Sequence, residues 1–260
     1  MVVQRFRKTI SVLHLYKLQV HLGKALRLSP IAKGRCIVTP RVIFFDINET
    51  LLDMQAIKTG LATVLEGDET LVDLWFANLL HHSLVDTMSS QFHDFIDVGG
   101  AALTMVAHSK NIALDEKTAK DTIKQYITKL PAHDDVIPTL KALHSAGIAL
   151  VALSNSSETG LNAQLEYANI KHYFSHVLSV ERVRTYKPHP AVYHWACQQA
   201  NVKNEEAMMV AAHGWDVSGA KATGMRTTFV ERPGKMMYPL GLTPDHSIAS
   251  LNELVSLVTR

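Results

Sequence analysis

The sequence predicts an α/β fold in which helices cover both faces of a parallel sheet. Short apolar runs recur at 41–46 (RVIFFD), 147–154 (GIALVALS), 207–212 (AMMVAA) and 226–230 (RTTFV). Segments with helical periodicity separate these runs, and this alternation is typical of a parallel sheet. Residues 54–146, about ninety in all, separate the first two runs, whereas a crossover needs only about a dozen. The sequence therefore also predicts an inserted helical domain.

The predicted elements divide the chain into three parts. We expect a core domain formed by residues 41–54 and 135–260, and a helical cap domain formed by residues 55–134. Apolar residues recur at helical spacing over 71–84 and 116–129, which predicts two of the cap helices. Residues 1–40 precede the first strand and form a basic N-terminal extension.

Charge is distributed unevenly along the 260 residues. The chain has 26 Lys and Arg and 24 Asp and Glu, but residues 1–45 contain nine of the basic residues and none of the acidic ones. The remainder, with 17 basic and 24 acidic residues, is acidic, which argues against a nucleic-acid partner. The basic start is compatible with an organelle-targeting segment, with an additional helix on the fold or with an upstream start codon.

Cysteine use and hydropathy bear on location. Cys36 and Cys197 lie far apart and form neither a disulfide framework nor a zinc-binding spacing, so a reducing compartment, the cytoplasm, is expected. No run approaches the ~18 uninterrupted apolar residues of a membrane span, so no membrane partner is expected.

Polar side chains follow the predicted strands at the end where open α/β sheets hold their active sites. In chain order these are Asp46, Thr50, Ser154, Asn155, Lys187, His213 and Asp216. An aspartate at the end of a buried strand, with a hydroxyl four residues later and a lysine nearby, has the features of a nucleophile whose charge is neutralised and whose orientation is fixed.

Four segments resemble the four motifs of the haloacid dehalogenase superfamily, and specifically its type II L-2-haloacid dehalogenases. They are FDINETLLD (45–53), LSNSS (153–157), YKPHPAVY (186–193) and VAAHGWDVSGAKATGM (210–225). The resemblance covers residues 42–232. It implies a Rossmann-like parallel-sheet core with a helical cap, hydrolysis of short L-2-haloacids without a cofactor, and a homodimer.

Most of this superfamily transfers phosphoryl groups, and three residues argue against that chemistry here. The resemblance places Asn48 where phosphatases carry the acid that protonates the leaving group. It places Ala211 and Ala212 where they carry a further acid for magnesium, so few oxygen ligands remain and no metal is expected. A halide leaves without protonation, so dehalogenation requires neither missing group.

The resemblance implies a role for each catalytic residue. Asp46 displaces the halide from C2, which forms an ester with the enzyme and inverts that carbon. Lys187 holds the nucleophile and offsets its charge, Thr50 orients it, and Asp216 pairs with Lys187.

Further positions are implied to contact the substrate. Side chains and backbone N–H groups that grip the substrate carboxylate are expected at Ser154, Asn155, Ile47 and Asn48. Tyr193 and Trp215 are expected to line the pocket.

The second half of the reaction is where this sequence departs from the family. Ala211 and His213 stand where many members have serine and asparagine, and Glu49 stands where many have a small residue. A histidine oriented by a carboxylate can activate water, and such a His/Glu dyad is similar to that of a type II subgroup. The alternative is that His213 only lines the pocket and Glu49 caps the following helix.

A second departure concerns the departing halide. Type II enzymes usually carry an arginine on the first cap helix, but residues 51–181 contain none, and Ala77 stands near the expected position. Neutral donors such as Asn78, the indole of Trp75 or the imidazole of His81 could hold the halide, although they stabilise an anion less than a guanidinium does. Three classes therefore stay open: a metal-independent dehalogenase, a magnesium-dependent phosphatase or other hydrolase of a small carboxylic acid, and a catalytically silent binding module.

Overall fold

The computed structural model describes residues 39–259, and these residues form the predicted α/β fold with a six-stranded, all-parallel sheet. The strands are β1 (Val42–Phe45), β2 (Ala149–Ser154), β3 (His176–Ser179), β4 (Ala207–Ala211), β5 (Arg226–Val230) and β6 (His246–Ile248). Their order across the sheet is β3-β2-β1-β4-β5-β6. The four apolar runs are confirmed as β1, β2, β4 and β5, with ends that differ by no more than two residues.

Helices flank the strands and fill the long first connection. They are α1 (Gln55–Ala62), α2 (Glu69–Met88), α3 (Phe95–Ser109), α4 (Glu116–Ile127), α5 (Val136–Ser145), α6 (Glu158–Tyr167), α7 (Pro190–Gln199), α8 (Gly214–Ala222) and α9 (Glu253–Val258). Helices α1 to α4 lie between β1 and β2 in the chain, so the predicted helical insertion is present. The helices predicted at 71–84 and 116–129 correspond to α2 and α4. The domain boundaries at residues 54/55 and 134/135 stay predictions.

The central strand β1 is apolar because both of its faces are covered. All four of its residues are buried. Ile43 and Phe45 point into one apolar layer, and Val42 and Phe44 point into the layer on the opposite face. Alternate residues of a strand face opposite sides of a sheet, so a strand buried on both sides reads as a continuous apolar run.

The inserted helices have their own start signals and apolar contacts. Asp68, Asp94 and Asp115 precede α2, α3 and α4, and each side chain accepts a hydrogen bond from a backbone N–H of the first turn. Trp75 on α2 is buried, and its indole N–H donates to the carbonyl of Gly99 on α3 at 2.8 Å. These contacts fix α2 against α3.

The strand order places a topological switch point at β1. This strand pairs with β2 on one side and with β4 on the other, with Phe45 opposite Ala152 and Val210. The chain therefore leaves β1 toward one edge and later returns to its other side. The crevice at the carboxyl ends of such strands is where open α/β sheets bind ligands.

Two further predictions concern the N-terminal extension and a membrane-spanning helix. The basic extension, and with it the possible targeting segment, lies almost wholly outside the described residues. Within residues 39–259, no helix combines the length and the hydropathy needed to cross a bilayer.

Candidate active site

The nucleophile candidate Asp46 sits directly after β1, where the chain turns away from the sheet. Its backbone N–H donates to the Val210 carbonyl at 3.1 Å, which extends the pairing with β4 by one residue. The Thr50 hydroxyl donates to Oδ2 of Asp46 at 2.7 Å and accepts the backbone N–H of Ala212 at 2.9 Å. The carboxylate is therefore held between β1 and β4.

The salt bridge between Arg232 and Asp135 holds the loop after Asp46. The Arg232 guanidinium donates to the Thr50 carbonyl at 3.0 and 2.9 Å and binds both carboxylate oxygens of Asp135 at 2.9 and 2.8 Å. Two-point pairing of this kind fixes direction as well as distance. Neither Arg232 nor Asp135 was identified from the sequence, because their roles depend on contacts between distant segments.

The Lys187 ammonium lies between two buried carboxylates. It donates to Oδ1 of Asp46 at 2.9 Å, to Oδ2 of Asp216 at 2.6 Å and to the Leu153 carbonyl at 3.0 Å. The Tyr193 hydroxyl donates to the other oxygen of Asp216 at 2.6 Å. All three protons of the ammonium are thus directed at acceptors, which fixes its position.

These contacts keep Asp46 ionised. Burial alone would raise the pKa of Asp46, but the charge of Lys187 and the hydrogen bond from His213 hold that pKa well below its usual value. Burial likewise opposes the charge on Lys187, and Asp216 and Asp46 raise its pKa. The site therefore presents a carboxylate nucleophile at neutral pH.

His213 lies between Asp46 and Glu49. Its Nδ1 is 2.9 Å from Oδ2 of Asp46, and its Nε2 is 2.8 Å from Oε2 of Glu49. Ionised carboxylates only accept hydrogen bonds, so both ring nitrogens must carry protons for both contacts to form. Burial would lower the pKa of His213, but the hydrogen bonds with the two carboxylates raise it to about 9. The resting ring is an imidazolium.

Glu49 is held in an unfavourable backbone conformation. Its φ is 60°, in the left-handed region that residues other than glycine rarely adopt. Its Oε2 accepts from His213 and also lies 2.6 Å from the ammonium of Lys235. The structure therefore places Glu49 on His213 rather than at a helix N-terminus.

Lys235 was not identified from the sequence. It lies in the loop after β5, where no motif marks it, although this loop also follows the carboxyl end of a strand. Together with the residues above it completes a row of alternating charges. The row runs Lys235, Glu49, His213, Asp46, Lys187 and Asp216. With His213 protonated, the three positive and three negative groups sum to zero.

A cavity of about 370 Å³ opens beside this row, between the core and the inserted helices. Its polar wall includes Glu49, His213 and Lys235, and Trp215 stacks on the His213 ring at 5.0 Å between centroids. Asp46 does not line this cavity, and His213 stands between the two. The apolar wall is contributed by Met54, Ile57, Val72, Trp75, Phe76 and Leu80.

The residues expected to contact the substrate do not all line the cavity. Trp215 lines the cavity, as expected, but Tyr193 does not, because its hydroxyl is bound to Asp216 behind the salt bridges. The Asn155 amide oxygen accepts the Lys187 backbone N–H at 3.0 Å, and the Ser154 hydroxyl accepts a backbone N–H at 3.1 Å. Asn155 therefore holds the loop that carries the lysine, and Ser154 holds the turn after β2.

Residues 47 and 48 form the other side of the same edge of the sheet. Ile47 is fully buried, and its carbonyl accepts two N–H groups of the turn after Asp46. The Asn48 amide group donates to Ser156 at 3.2 Å and accepts from Gln164 at 2.8 Å. An amide held in this way cannot supply a proton to a leaving group.

The contacts of the three candidate halide donors on α2 do not favour that role. The indole N–H of Trp75 already donates to a backbone carbonyl of α3 at 2.8 Å, and the Asn78 amide donates to its own helix at 2.9 Å. His81 is exposed and packs against the neighbouring His82 ring. Asn78 and His81 do not line the cavity, and Trp75 lines it with its indole N–H already bound to α3.

Positive charge reaches the cavity from other elements. Ala77 lines it, so the position at which the resemblance places an arginine faces the cavity with a methyl group. Lys58 on α1 and Lys235 after β5 also stand in the wall, and Lys58 pairs with Asp73 at 2.8 Å. Neither of these two lysines was expected in the cavity wall from the sequence.

Comparisons with known proteins agree with this geometry. A family model described as haloacid dehalogenase-like hydrolase matches residues 40–224. (S)-2-haloacid dehalogenase 2 of Pseudomonas sp. (strain CBS-3) is 30% identical over 219 residues, which cover 84% of this chain and 95% of that protein. (S)-2-haloacid dehalogenase 4A of Burkholderia cepacia is 30% identical over 85% of this chain and 95% of its own. The crystal structure of an L-2-haloacid dehalogenase superposes with a TM-score of 0.80 and 26% identity, covering 85% of this chain and 100% of that one.

The geometry predicts the charge of His213 at neutral pH. We expect this ring to titrate near pH 9, and Glu49→Gln to lower that midpoint because one of its two carboxylate partners loses its charge. Nitrogen-15 NMR, with the signal assigned by its loss in His213→Gln, measures both values. Asp86→Asn, beside the exposed His93, is the matched control. A midpoint for His213 at or below about 6.5, the ordinary value, would contradict the imidazolium.

Proposed function

Because this chain belongs to the haloacid dehalogenase-like hydrolases, we propose that it hydrolyses short L-2-haloacids to 2-hydroxy acids and halide. The names of its relatives at 30% identity support this substrate class. The observation that carries the proposal is the buried, ionised Asp46, which accepts from Lys187 on one oxygen and lies against His213 on the other. An ionised carboxylate is the nucleophile that displacement of a halide requires.

The first step is a displacement at C2 of the substrate. One oxygen of Asp46 forms a bond to C2 as the carbon–halogen bond breaks, so C2 is inverted and the halide leaves with the electron pair. Lys187 and Thr50 orient the carboxylate through the two contacts described above. The backbone N–H groups after Asp46, together with Ser154 and Asn155, are proposed to bind the substrate carboxylate.

The ester changes the charge around His213. Esterified Asp46 has lost its negative charge, so the imidazolium loses one of the two groups that raise its pKa and releases a proton. Glu49 still accepts the Nε2 proton, which leaves a lone pair on Nδ1 facing Asp46. Nδ1 is therefore the atom that can take a proton from an attacking water.

Hydrolysis then restores the resting site. Water adds to the side-chain carbonyl carbon of the Asp46 ester, and the bond from that carbon to the substrate oxygen breaks. The 2-hydroxy acid leaves with the oxygen that Asp46 supplied, and this oxygen takes up one of the two protons of the water. Asp46 returns as a carboxylate with one oxygen from water, and the remaining proton stays on His213.

The phosphatase alternative is less well supported. The ammonium of Lys187 already pairs with Asp46 and Asp216, the carboxylates that would have to hold a magnesium ion, and Asn48 cannot protonate an alkoxide. Neither observation favours that chemistry, so metal-independent turnover is part of the proposal.

A silent binding module is also less well supported. Such a module has no need of a nucleophile, a compensating lysine and a His/Glu dyad at one sheet edge. A homodimer and a cytoplasmic location, expected from the resemblance and from cysteine use, stay predictions.

Racemic 2-bromopropionate tests the activity directly. With EDTA present, we expect bromide release to stop near half conversion and chiral analysis to recover the R substrate, because the proposed substrates are L-2-haloacids. Release from both enantiomers would contradict this selectivity, and no release with or without magnesium would contradict the activity.

Two variants separate the half-reactions. His213→Ala should still form the ester but hydrolyse it at least about a hundredfold more slowly, the typical contribution of a general base. Mass spectrometry of the intact variant after incubation with substrate should therefore find the added substrate fragment. Asp46→Asn should form no adduct and release no halide. Full turnover by His213→Ala, or no adduct on it, would remove His213 from the second step.

A further inference from the structure

We propose that Lys235 is a positioning residue for ester hydrolysis, which holds Glu49 against Nε2 of His213 and favours the neutral ring that activates water. This inference rests on the proposed function, since it concerns the second half of that reaction. It adds a residue from the loop after β5, outside the four motifs that the chain shares with the superfamily.

Lys235 and His213 contact the same carboxylate oxygen of Glu49. Oε2 of Glu49 lies 2.6 Å from the Lys235 ammonium and 2.8 Å from Nε2 of His213. The side chains of His213 and Glu49 are 8% and 11% exposed, whereas that of Lys235 is 25% exposed. Lys235 therefore closes the row of alternating charges on the side that faces the cavity and solvent.

The backbone of Glu49 explains why a second partner is needed. A non-glycine residue at φ 60° is strained relative to an ordinary conformation, so such a residue persists only where its surroundings hold it. Two charge-assisted hydrogen bonds to one carboxylate oxygen provide that restraint. Without Lys235, His213 alone would hold the Glu49 side chain.

The position of Lys235 is itself fixed by an aromatic ring. Its ammonium lies 5.9 Å from the centroid of the Phe76 ring on α2, within the range of a cation–π contact. The preceding Gly234 has a φ of 74°, which turns the loop toward the cavity. From its loop after β5, Lys235 thus contacts both Glu49 of the dyad and Phe76 of the inserted helices.

The charge of Lys235 acts on the proton of His213. The charged and titratable groups around the dyad, from every element packed against it, are Asp46, Lys187, Asp216, Lys235, Lys58, Asp73, Asp53, His133 and Arg232. Among these, Lys235 shares an acceptor atom with the ring. A cation there disfavours the imidazolium and offsets part of the charge of Glu49. Removing it makes His213 keep its proton to higher pH.

The test is the pH dependence of ester hydrolysis in a single turnover. Enzyme in excess is mixed with 2-bromopropionate, and the decay of the ester is followed by rapid quenching and mass spectrometry. For Lys235→Met, we expect the apparent pKa of hydrolysis to rise by about one unit and the rate at pH 7 to fall about tenfold, with ester formation little changed. Lys235→Arg should restore most of the rate, because it keeps the charge.

Lys171→Met is the matched control. Lys171 also pairs with a glutamate at 2.6 Å, but Glu166 lies at the end of α6 and neither residue contacts the site. This variant should leave the pH profile unchanged. Lys235→Gln serves as the second neutral variant if Lys235→Met does not fold.

The outcomes separate the inference from the function on which it rests. If the wild-type protein releases no halide, the proposed function fails. If the wild type turns over and a folded Lys235→Met or Lys235→Gln hydrolyses the ester with the wild-type pH profile, the role of Lys235 is wrong and the function stands. A slow Lys235→Arg variant with the profile of Lys235→Met would equally contradict a role based on charge.

Discussion

The arrangement of this site depends on the compensation of one buried negative charge. Asp46 is 5% exposed, and an isolated carboxylate at such a position would take up a proton instead of staying ionised. The Lys187 ammonium prevents this, and Asp216 in turn compensates the lysine. Breaking such a set at one member leaves an unpaired buried charge, which costs more than the intact set contributes. The groups at the strand ends therefore have to be present together.

In the proposed mechanism the same constraint gives His213 two functions at different stages. In the resting site the imidazolium completes a row whose charges sum to zero, and it donates to the nucleophile. Esterification removes the negative charge of Asp46, so the row carries an excess positive charge until His213 loses its proton. The base is then produced by the step that needs it next. In this proposal Glu49 and Lys235 set how readily this happens, because Glu49 contacts the far side of the ring and Lys235 contacts Glu49.

Strand ends and motifs predict much of this site. Asp46, Lys187, His213 and Asp216 could be placed together because the carboxyl ends of parallel strands meet at one edge. Lys235 could not be placed there from the sequence, because it lies in a loop with no recognisable pattern. The edge strand β6 was missed, because a strand of three residues that are mostly polar does not stand out in the sequence. By sequence position, Tyr193 was assigned to the pocket and the indole of Trp75 was a candidate halide donor. In the structure their polar groups are bound elsewhere, and only contacts between distant segments decide that.

The timing of proton release tests most directly whether His213 is an imidazolium that loses its proton when Asp46 is esterified. Enzyme in excess over 2-bromopropionate, weakly buffered near pH 8 with a pH indicator, can be followed by stopped flow beside quenched samples for bromide and hydroxy acid. The account predicts about one proton per bromide released, before the hydroxy acid forms, and none at this stage in His213→Ala. Proton release that follows the hydroxy acid instead of the bromide would contradict it.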